Sequence, residues 1–129
     1  AFPSKVMGKR WIPLVCEGNY YYDAKKTGIG FHGDTERTRV ICLSVGAHNY
    51  PMRWQCFCRG KVVGEPVEVF LNSGDAYIMS EKAVGNDWKK RTINTLRHAA
   101  GAKKYIGIQK SWLPSPDDVQ KEPVRLERK

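Results

Sequence analysis

The chemistry that this sequence could perform depends first on its three histidines, His32, His48 and His98. His32 is followed two positions later by Asp34, and side chains two positions apart on a strand lie on the same face. An imidazole and a carboxylate placed in this way could bind one metal ion. A second histidine from a distant strand would complete a site of two histidines and one carboxylate, which leaves open positions and is typical of non-haem Fe(II) that activates O2.

The residues around this pair resemble a known family. From Asn19 to Arg37 the sequence reads NYYYDAKKTGIGFHGDTER, which is similar to the N-x-Y, short turn and I-G-x-H-x-D-x-E of the AlkB-like 2-oxoglutarate/Fe(II) dioxygenases. Similarity continues through Val40–Gly46, Arg53 and Asn72–Met79, so the resemblance covers residues 10–112. It implies a double-stranded β-helix (jelly-roll) core, Fe(II), and 2-oxoglutarate that is consumed with O2 to give succinate, CO2 and an oxidised substrate.

The distal half can be aligned with the family in two ways. In one, Arg91 and Arg97 match the family's arginine pair, and no histidine precedes them at the place of the distal ligand. In the other, which we favour because it keeps a complete metal site, His98 is the third ligand. Lys110, on a strand Tyr105–Ser111, then binds the distal carboxylate of 2-oxoglutarate through a charge-assisted hydrogen bond. Arg97 or Arg91 would assist that carboxylate.

The resemblance assigns further roles near the metal. Asn19 and Tyr21 match the family's N-x-Y and would donate hydrogen bonds to the cosubstrate; an ordinary strand end with a buried tyrosine is the alternative. Glu36 matches a position that often faces the substrate, and its alternative is a solvated loop acid. Trp88 lies in an expected loop beside basic residues, where its ring could stack on a nucleobase. His48 lies in a loop and is expected at the surface.

The charge of the chain indicates an anionic partner. The 129 residues include 22 Lys and Arg against 13 Asp and Glu, a net charge of +9. Within residues 82–110, Asp87 is the single acid. The basic residues of this block are Lys82, Lys89, Lys90, Arg91, Arg97, Lys103, Lys104 and Lys110. Such a block favours an anionic partner, either nucleic acid or a small polycarboxylate, with a solvated basic face as the alternative.

Length and composition exclude several other classes. The length suits one domain, and no apolar run approaches the roughly 20 residues of a membrane helix. Four cysteines do not make a disulfide framework in a chain of this size, which favours free thiols. We therefore expect an intracellular monomer, cytoplasmic or nuclear, without a membrane partner.

The pattern of short apolar segments and turns predicts an all-β or α+β fold with a jelly-roll core. Strands are expected at Tyr20–Tyr22 and Thr92–His98, among others, and a hairpin is expected to join Val67–Leu71 to Ala76–Met79. The domain is expected to span residues 1–112, with a charged C-terminal tail at residues 113–129.

These observations leave more than one function open. The first is a dioxygenase that demethylates or hydroxylates a nucleic-acid base, which must be flipped out or single-stranded. The same site could instead hydroxylate a protein side chain or a small molecule. A non-enzymatic nucleic-acid-binding β-domain, or a structural jelly-roll module, would need no convergence of His32, Asp34 and His98.

Overall fold

The fold is built mainly of antiparallel β-strands, in a computed structural model that describes residues 14–118. The strands are β1 (Gly28–His32), β2 (Val40–Leu43), β3 (Tyr50–Cys58), β4 (Lys61–Leu71), β5 (Ala76–Met79) and β6 (Thr95–Gly101). Two single-turn helices, α1 (Glu81–Val84) and α2 (Lys103–Ile106), and a 3-10 helix at Lys110–Trp112 complete the described elements. In this part of the chain, no helix has the length and apolar character needed to cross a lipid bilayer.

The strands form two sheets. The larger has the order β1-β6-β3-β4, and the smaller pairs β2 with β5. β3 and β4 are joined by the two-residue turn Arg59-Gly60, whose φ angles are 51° and 76°. Two central residues with positive φ are the signature of the hairpin turn that matches the twist of paired strands. All strand pairs in both sheets are antiparallel.

The apolar core lies between the two sheets. Its buried members are Tyr50, Met52, Met79, Val84 and Ala100. Because side chains alternate along a strand, one face of β3 and β6 points toward the β2–β5 sheet; we call this the inner face. It carries Met52 and Trp54 of β3, which pair with Ala100 and His98 of β6.

The opposite face of the larger sheet, here the outer face, has its own aromatic cluster. The rings of Phe31, Phe57 and Trp112 meet edge to face, with centroids 5.5–6.1 Å apart. Lys61 also donates a hydrogen bond of 2.9 Å to the carbonyl of Ser111. The 3-10 helix Lys110–Trp112 is therefore held against the outer face.

Four sequence expectations about elements are corrected by the structure. Tyr20–Tyr22 is not a strand, the strand expected at Thr92–His98 runs from Thr95 to Gly101, and Tyr105–Ser111 contains the end of α2 and part of the 3-10 helix. The last difference arises because Gly101, at φ 102°, ends β6 and turns the chain onto the outer face. The expected hairpin of Val67–Leu71 with Ala76–Met79 is also wrong, since Asn72–Asp75 carries the chain from one sheet to the other.

The coarse fold class expected from sequence, all-β or α+β, is confirmed. Residues 113–118, at the start of the expected tail, form no helix or strand, and residues 119–129 lie outside the described residues. The boundary at residue 112 stays a prediction.

Candidate metal centre

A β-bulge in β1 places His32 beside His98. Gly28 pairs with Gly101 and Ile29 with Ala100, but His32 pairs with His98. If the first register continued, His32 would lie opposite Arg97, whose side chain is on the outer face. The extra residue shifts the alternation, so that both imidazoles point to the inner face. Bulges commonly re-aim side chains in this way next to functional sites.

His32, Asp34 and His98 converge. One ligand atom from each lies within 4.8 Å of the others. Nε2 of His32 is 3.5 Å from Oδ1 of Asp34, and Nε2 of His98 is 3.7 Å from Oδ2 of the same carboxylate. Two ligands bound at right angles, each about 2.1 Å from a metal, are about 3 Å apart. The ligand atoms would therefore have to move closer, by up to about 2 Å, to hold one ion.

The hydrogen bond of His32 decides which of its nitrogens faces the carboxylate. Nδ1 lies 2.8 Å from the carbonyl oxygen of Gly30, which only accepts, so Nδ1 carries a proton and donates it. In a neutral imidazole, Nε2 then directs its lone pair at Asp34. A metal ion placed between this lone pair and the carboxylate would be coordinated by both groups. A backbone carbonyl bound to the far nitrogen is also the usual support of a metal-binding histidine.

His98 is prepared to act as a neutral ligand. It is 5% exposed, and burial, reinforced by the nearby His32, lowers its pKa to about 4, while Asp34 acts in the opposite direction. The imidazole is therefore neutral near pH 7, the form that binds metals. The donor set of two neutral imidazoles and one carboxylate fits a divalent ion of the first transition series.

Gly33 fixes the turn between His32 and Asp34. A Cβ at Gly33 would lie 2.3 Å from the carbonyl oxygen of Gly85 and 2.6 Å from the Trp88 side chain. The N–H of Asp34 donates a 3.0 Å hydrogen bond to the carbonyl of Val84. Residues 32–34, here the metal-facing loop, therefore pack against α1 and the turn that follows α1. Only glycine fits at position 33, where the two segments touch.

Aromatic residues form the inter-sheet wall beside His98. Trp54 pairs with His98 across the strands and meets Tyr77 edge to face at 6.2 Å. The ring of Tyr21 lies 5.2 Å from that of Tyr50. Two buried polar atoms here have no hydrogen-bond partner within residues 14–118: Tyr50 Oη and Trp54 Nε1. Buried polar atoms are nearly always paired, so this wall is suited to a polar ligand or ordered water.

The structure places the expected cosubstrate residues on both sides of the sheet. Tyr21 is half-buried and belongs to the inter-sheet wall, whereas Asn19 is exposed. Lys110 starts the 3-10 helix that packs on the outer face, away from His98. Arg97 also points to the outer face, where its guanidinium carbon lies 4.2 Å from the Phe57 ring centroid. Arg91 is exposed and lines the same outer-face cleft as Arg97.

The two residues expected to face the substrate differ in their surroundings. Glu36 is exposed in the loop that leaves the metal cluster. Trp88 lies, as expected, outside the helices and strands, in the turn after α1, and it is half-buried. It covers Gly33, and its Nε1 donates a 3.2 Å hydrogen bond to Oγ1 of Thr35. His48 is exposed in a loop outside the cluster, as expected.

Sequence reasoning missed three residues near the cluster. Trp54 and Tyr50 lie on the inner face of β3, and the strict alternation of that strand could have grouped them with the site. The guanidinium of Arg37 is close enough to oppose protonation of His98, and it also forms an ion pair with Glu17. In the sequence, the only indication that Arg37 would lie near the cluster is its place three positions after Asp34.

Comparison with known proteins identifies a viral relative. The chain is 54% identical over 93 residues to a protein of Acanthamoeba polyphaga mimivirus, uncharacterized protein R156. The match covers 72% of this chain and 36% of the relative, so the chain spans about a third of the relative's length. No family model and no solved structure matches the chain. Evidence on function therefore comes from the geometry of the cluster.

Proposed function

We propose that this protein is an Fe(II)- and 2-oxoglutarate-dependent dioxygenase. The convergence of His32, Asp34 and His98 on the inner face is the observation that carries the proposal. Two imidazoles and one carboxylate on one side of an ion leave open positions for a cosubstrate and O2. Bound there, Fe(II) would supply O2 activation coupled to the oxidative decarboxylation of 2-oxoglutarate.

The path of the chain supports a double-stranded β-helix as the core of this enzyme. Within residues 14–118, β1 lies in the larger sheet, the chain crosses to the smaller sheet for β2, and it returns for β3 and β4. It crosses again for β5 and returns for β6, which inserts between β1 and β3. Repeated crossing between two facing antiparallel sheets is the connectivity of a jelly roll.

The contacts of the cosubstrate differ from those expected from sequence. Lys110 and Arg97 lie on the outer face, so in this proposal they do not hold the distal carboxylate. The unpartnered Tyr50 Oη and Trp54 Nε1 would donate hydrogen bonds to 2-oxoglutarate, with Tyr21 beside them. A carboxylate accepts strongly from such donors in a site shielded from water.

A nucleic-acid base is the substrate class that we propose first, because the net charge of +9 favours a polyanion. The position of the cations favours a second candidate, a protein side chain or a small molecule. Arg91, Arg97 and Lys110, which belong to the basic block, lie away from the metal cluster. Oxidation of either class of substrate would use the same metal ligands, His32, Asp34 and His98.

The test is an anaerobic titration with Fe(II) followed by 2-oxoglutarate. The wild-type protein is expected to develop the visible charge-transfer absorption of a metal–2-oxoglutarate complex. His98→Ala removes one ligand and should abolish this absorption, whereas His48→Ala, at an exposed loop histidine, should retain it. Tyr50→Phe should retain Fe(II) binding but weaken 2-oxoglutarate binding by about tenfold, the effect of losing one hydrogen bond to a charged group.

Three results would contradict the proposal. The first is a wild-type protein that binds Fe(II) but develops no absorption with 2-oxoglutarate. The second is equal behaviour of His98→Ala and the wild type. The third is absence of metal binding, which would favour a non-enzymatic β-domain in which the cluster is only an ion-paired network.

A further inference from the structure

The outer face carries a strongly basic cleft that the proposed reaction does not use. It has a volume of about 180 Å³ and lies beside the Arg59-Gly60 turn. Five basic side chains line it together with Phe57, Trp88 and Thr95: Arg59, Lys89, Lys90, Arg91 and Arg97. No acidic residue lines it among the described residues. Asp87, close in sequence, is instead paired with Lys82 at 2.7 Å.

Arg97 forms the floor of this cleft. Its guanidinium carbon lies 4.2 Å from the centroid of Phe57 and 5.2 Å from that of Trp88. Stacking on aromatic rings occupies the faces of the guanidinium and fixes its plane, which leaves its edge for a ligand. Nε of Arg97 is buried and has no hydrogen-bond partner in residues 14–118.

The cations are held together by the backbone. The N–H of Arg59 donates a 2.7 Å hydrogen bond to the carbonyl of Arg91, and Sγ of Cys58 lies 3.8 Å from the same oxygen. A Cβ at Gly60 would lie 3.4 Å from Nη2 of Arg91. The β3–β4 turn and the segment before β6 are thereby joined, and like charges are kept close together.

Four of these cations, Lys89, Lys90, Arg91 and Arg97, share the cleft with no acid in its lining. Like charges held close together destabilise one another, and a bound anion relieves this repulsion. Burial, and to a smaller extent the nearby Arg91, lower the pKa of Arg97, and no acid in the lining of the cleft opposes either effect. The rigid fork of an arginine matches the oxygens of a phosphoryl group, which accepts two parallel hydrogen bonds. A carboxylate offers fewer oxygens to five cations converging from different directions.

We propose that this outer-face cleft is a binding site for a phosphoryl group, separate from the metal centre. The phosphoryl group can belong to a free phosphate or mononucleotide, or to the backbone of single-stranded nucleic acid. In the backbone case, Trp88, which forms a wall of the cleft, provides an aromatic edge beside the phosphate contacts. The site does not require the proposed oxygenase activity, because Arg97, which forms its floor, points to the face of the sheet opposite His98. Trp88 is the one wall residue that also covers Gly33 of the metal-facing loop.

Calorimetric titration of the full, metal-free chain tests the proposal with three probes: inorganic phosphate, a nucleoside monophosphate and a single-stranded oligonucleotide. Arg91→Gln is expected to weaken binding of the phosphate-bearing probe by about tenfold or more. Lys90→Gln, at another exposed side chain, should weaken it less. Lys104→Gln makes the same change in net charge outside the cleft and should leave the affinity within about twofold.

The three probes distinguish the sources of the phosphoryl group. If phosphate or the nucleotide binds as well as the oligonucleotide, the site is for a small anion. If only the oligonucleotide binds, with an affinity that falls steeply with salt, the site takes a nucleic-acid backbone. Equal losses in Arg91→Gln and Lys104→Gln, or no binding of any probe, would overturn the proposal. His98→Ala should bind phosphate normally, so this result is independent of the metal titration.

Discussion

At the scale of single residues, the position of Asp34 depends on the absence of a side chain at Gly33. Gly33 has no side chain, and this absence lets the metal-facing loop contact Gly85 and Trp88 directly. The N–H of Asp34 then reaches the carbonyl of Val84. Asp34 faces both histidines as a consequence, with each carboxylate oxygen directed at one imidazole.

Gly33→Ala is expected to lower the free energy of unfolding by about 1–3 kcal/mol, because the added methyl group would lie too close to a backbone carbonyl that cannot move freely. Displacement of Asp34 should also weaken Fe(II) binding by about tenfold or more. Chemical denaturation and metal titration measure the two effects.

Gly18→Ala is the matched control for this substitution. Nothing lies within 4 Å of a Cβ at Gly18, so we expect a change below about 0.5 kcal/mol and unchanged metal binding. If Gly33→Ala were as mild as Gly18→Ala, the proposed clamp on the loop would be wrong.

At the scale of elements, the site depends on a bulge and on a single helical turn. The bulge in β1 aligns His32 with His98, and α1 supplies the carbonyl that holds Asp34. A helix this short has little stability of its own. Ser80 caps its N-terminus, with a hydroxyl that accepts a hydrogen bond from the N–H of Ala83, and Gly85 caps its C-terminus in the left-handed conformation.

Ser80→Ala is therefore expected to reduce the free energy of unfolding by about 1 kcal/mol, because it removes the N-terminal cap. Fe(II) affinity should fall with it, since α1 contacts the metal-facing loop. Ser80→Asp keeps a cap and should retain both properties. Equal destabilisation by Ser80→Ala and Ser80→Asp, measured by chemical denaturation, would show that the cap does not support the site.

At the scale of the whole molecule, the larger sheet separates two chemically different surfaces. Its inner face carries the metal cluster and the aromatic inter-sheet wall, and its outer face carries the basic cleft. Arg97 and His98 are consecutive in β6 yet serve opposite faces, since side chains alternate along a strand. The net charge of +9 therefore does not describe the surroundings of the metal cluster.

The inter-sheet tyrosines predict how stability depends on alkaline pH. Burial, with a smaller contribution from Tyr21, raises the pKa of Tyr50 to about 12, and the pKa of Tyr77 is raised mainly by burial as well. The unfolded chain loses these protons near pH 10, before the folded protein does. The free energy of unfolding should therefore be unaffected by Tyr50 below about pH 10 and should decrease as the pH rises from about 10 to about 12.

Urea denaturation across this range measures the effect. Tyr50→Phe should reduce the slope of stability against pH, whereas Tyr20→Phe, at a residue that is 87% exposed, should not. The same slope in both variants would mean that Tyr50 does not titrate late in the folded protein.

The sequence by itself determined the predominance of β-strands and the grouping of His32, Asp34 and His98 as one candidate site. The first follows from local alternation and turn residues, and the second from a short spacing and a specific motif around it. Both conclusions depend on residues close together in the sequence, except for the inclusion of His98, which is distant from His32 and Asp34. That choice rested on the need for a third ligand, and the geometry brings His98 into the cluster.

Only the tertiary structure decided which residues share a face with the cluster. One extra residue in β1 changed the partner of His32, and one turn after β6 carried Lys110 to the outer face. Strand pairing and crossing between sheets depend on contacts between distant residues, which spacing along the chain does not encode. For the same reason the basic block, contiguous in sequence, became in part a cleft on the side of the sheet away from the metal centre.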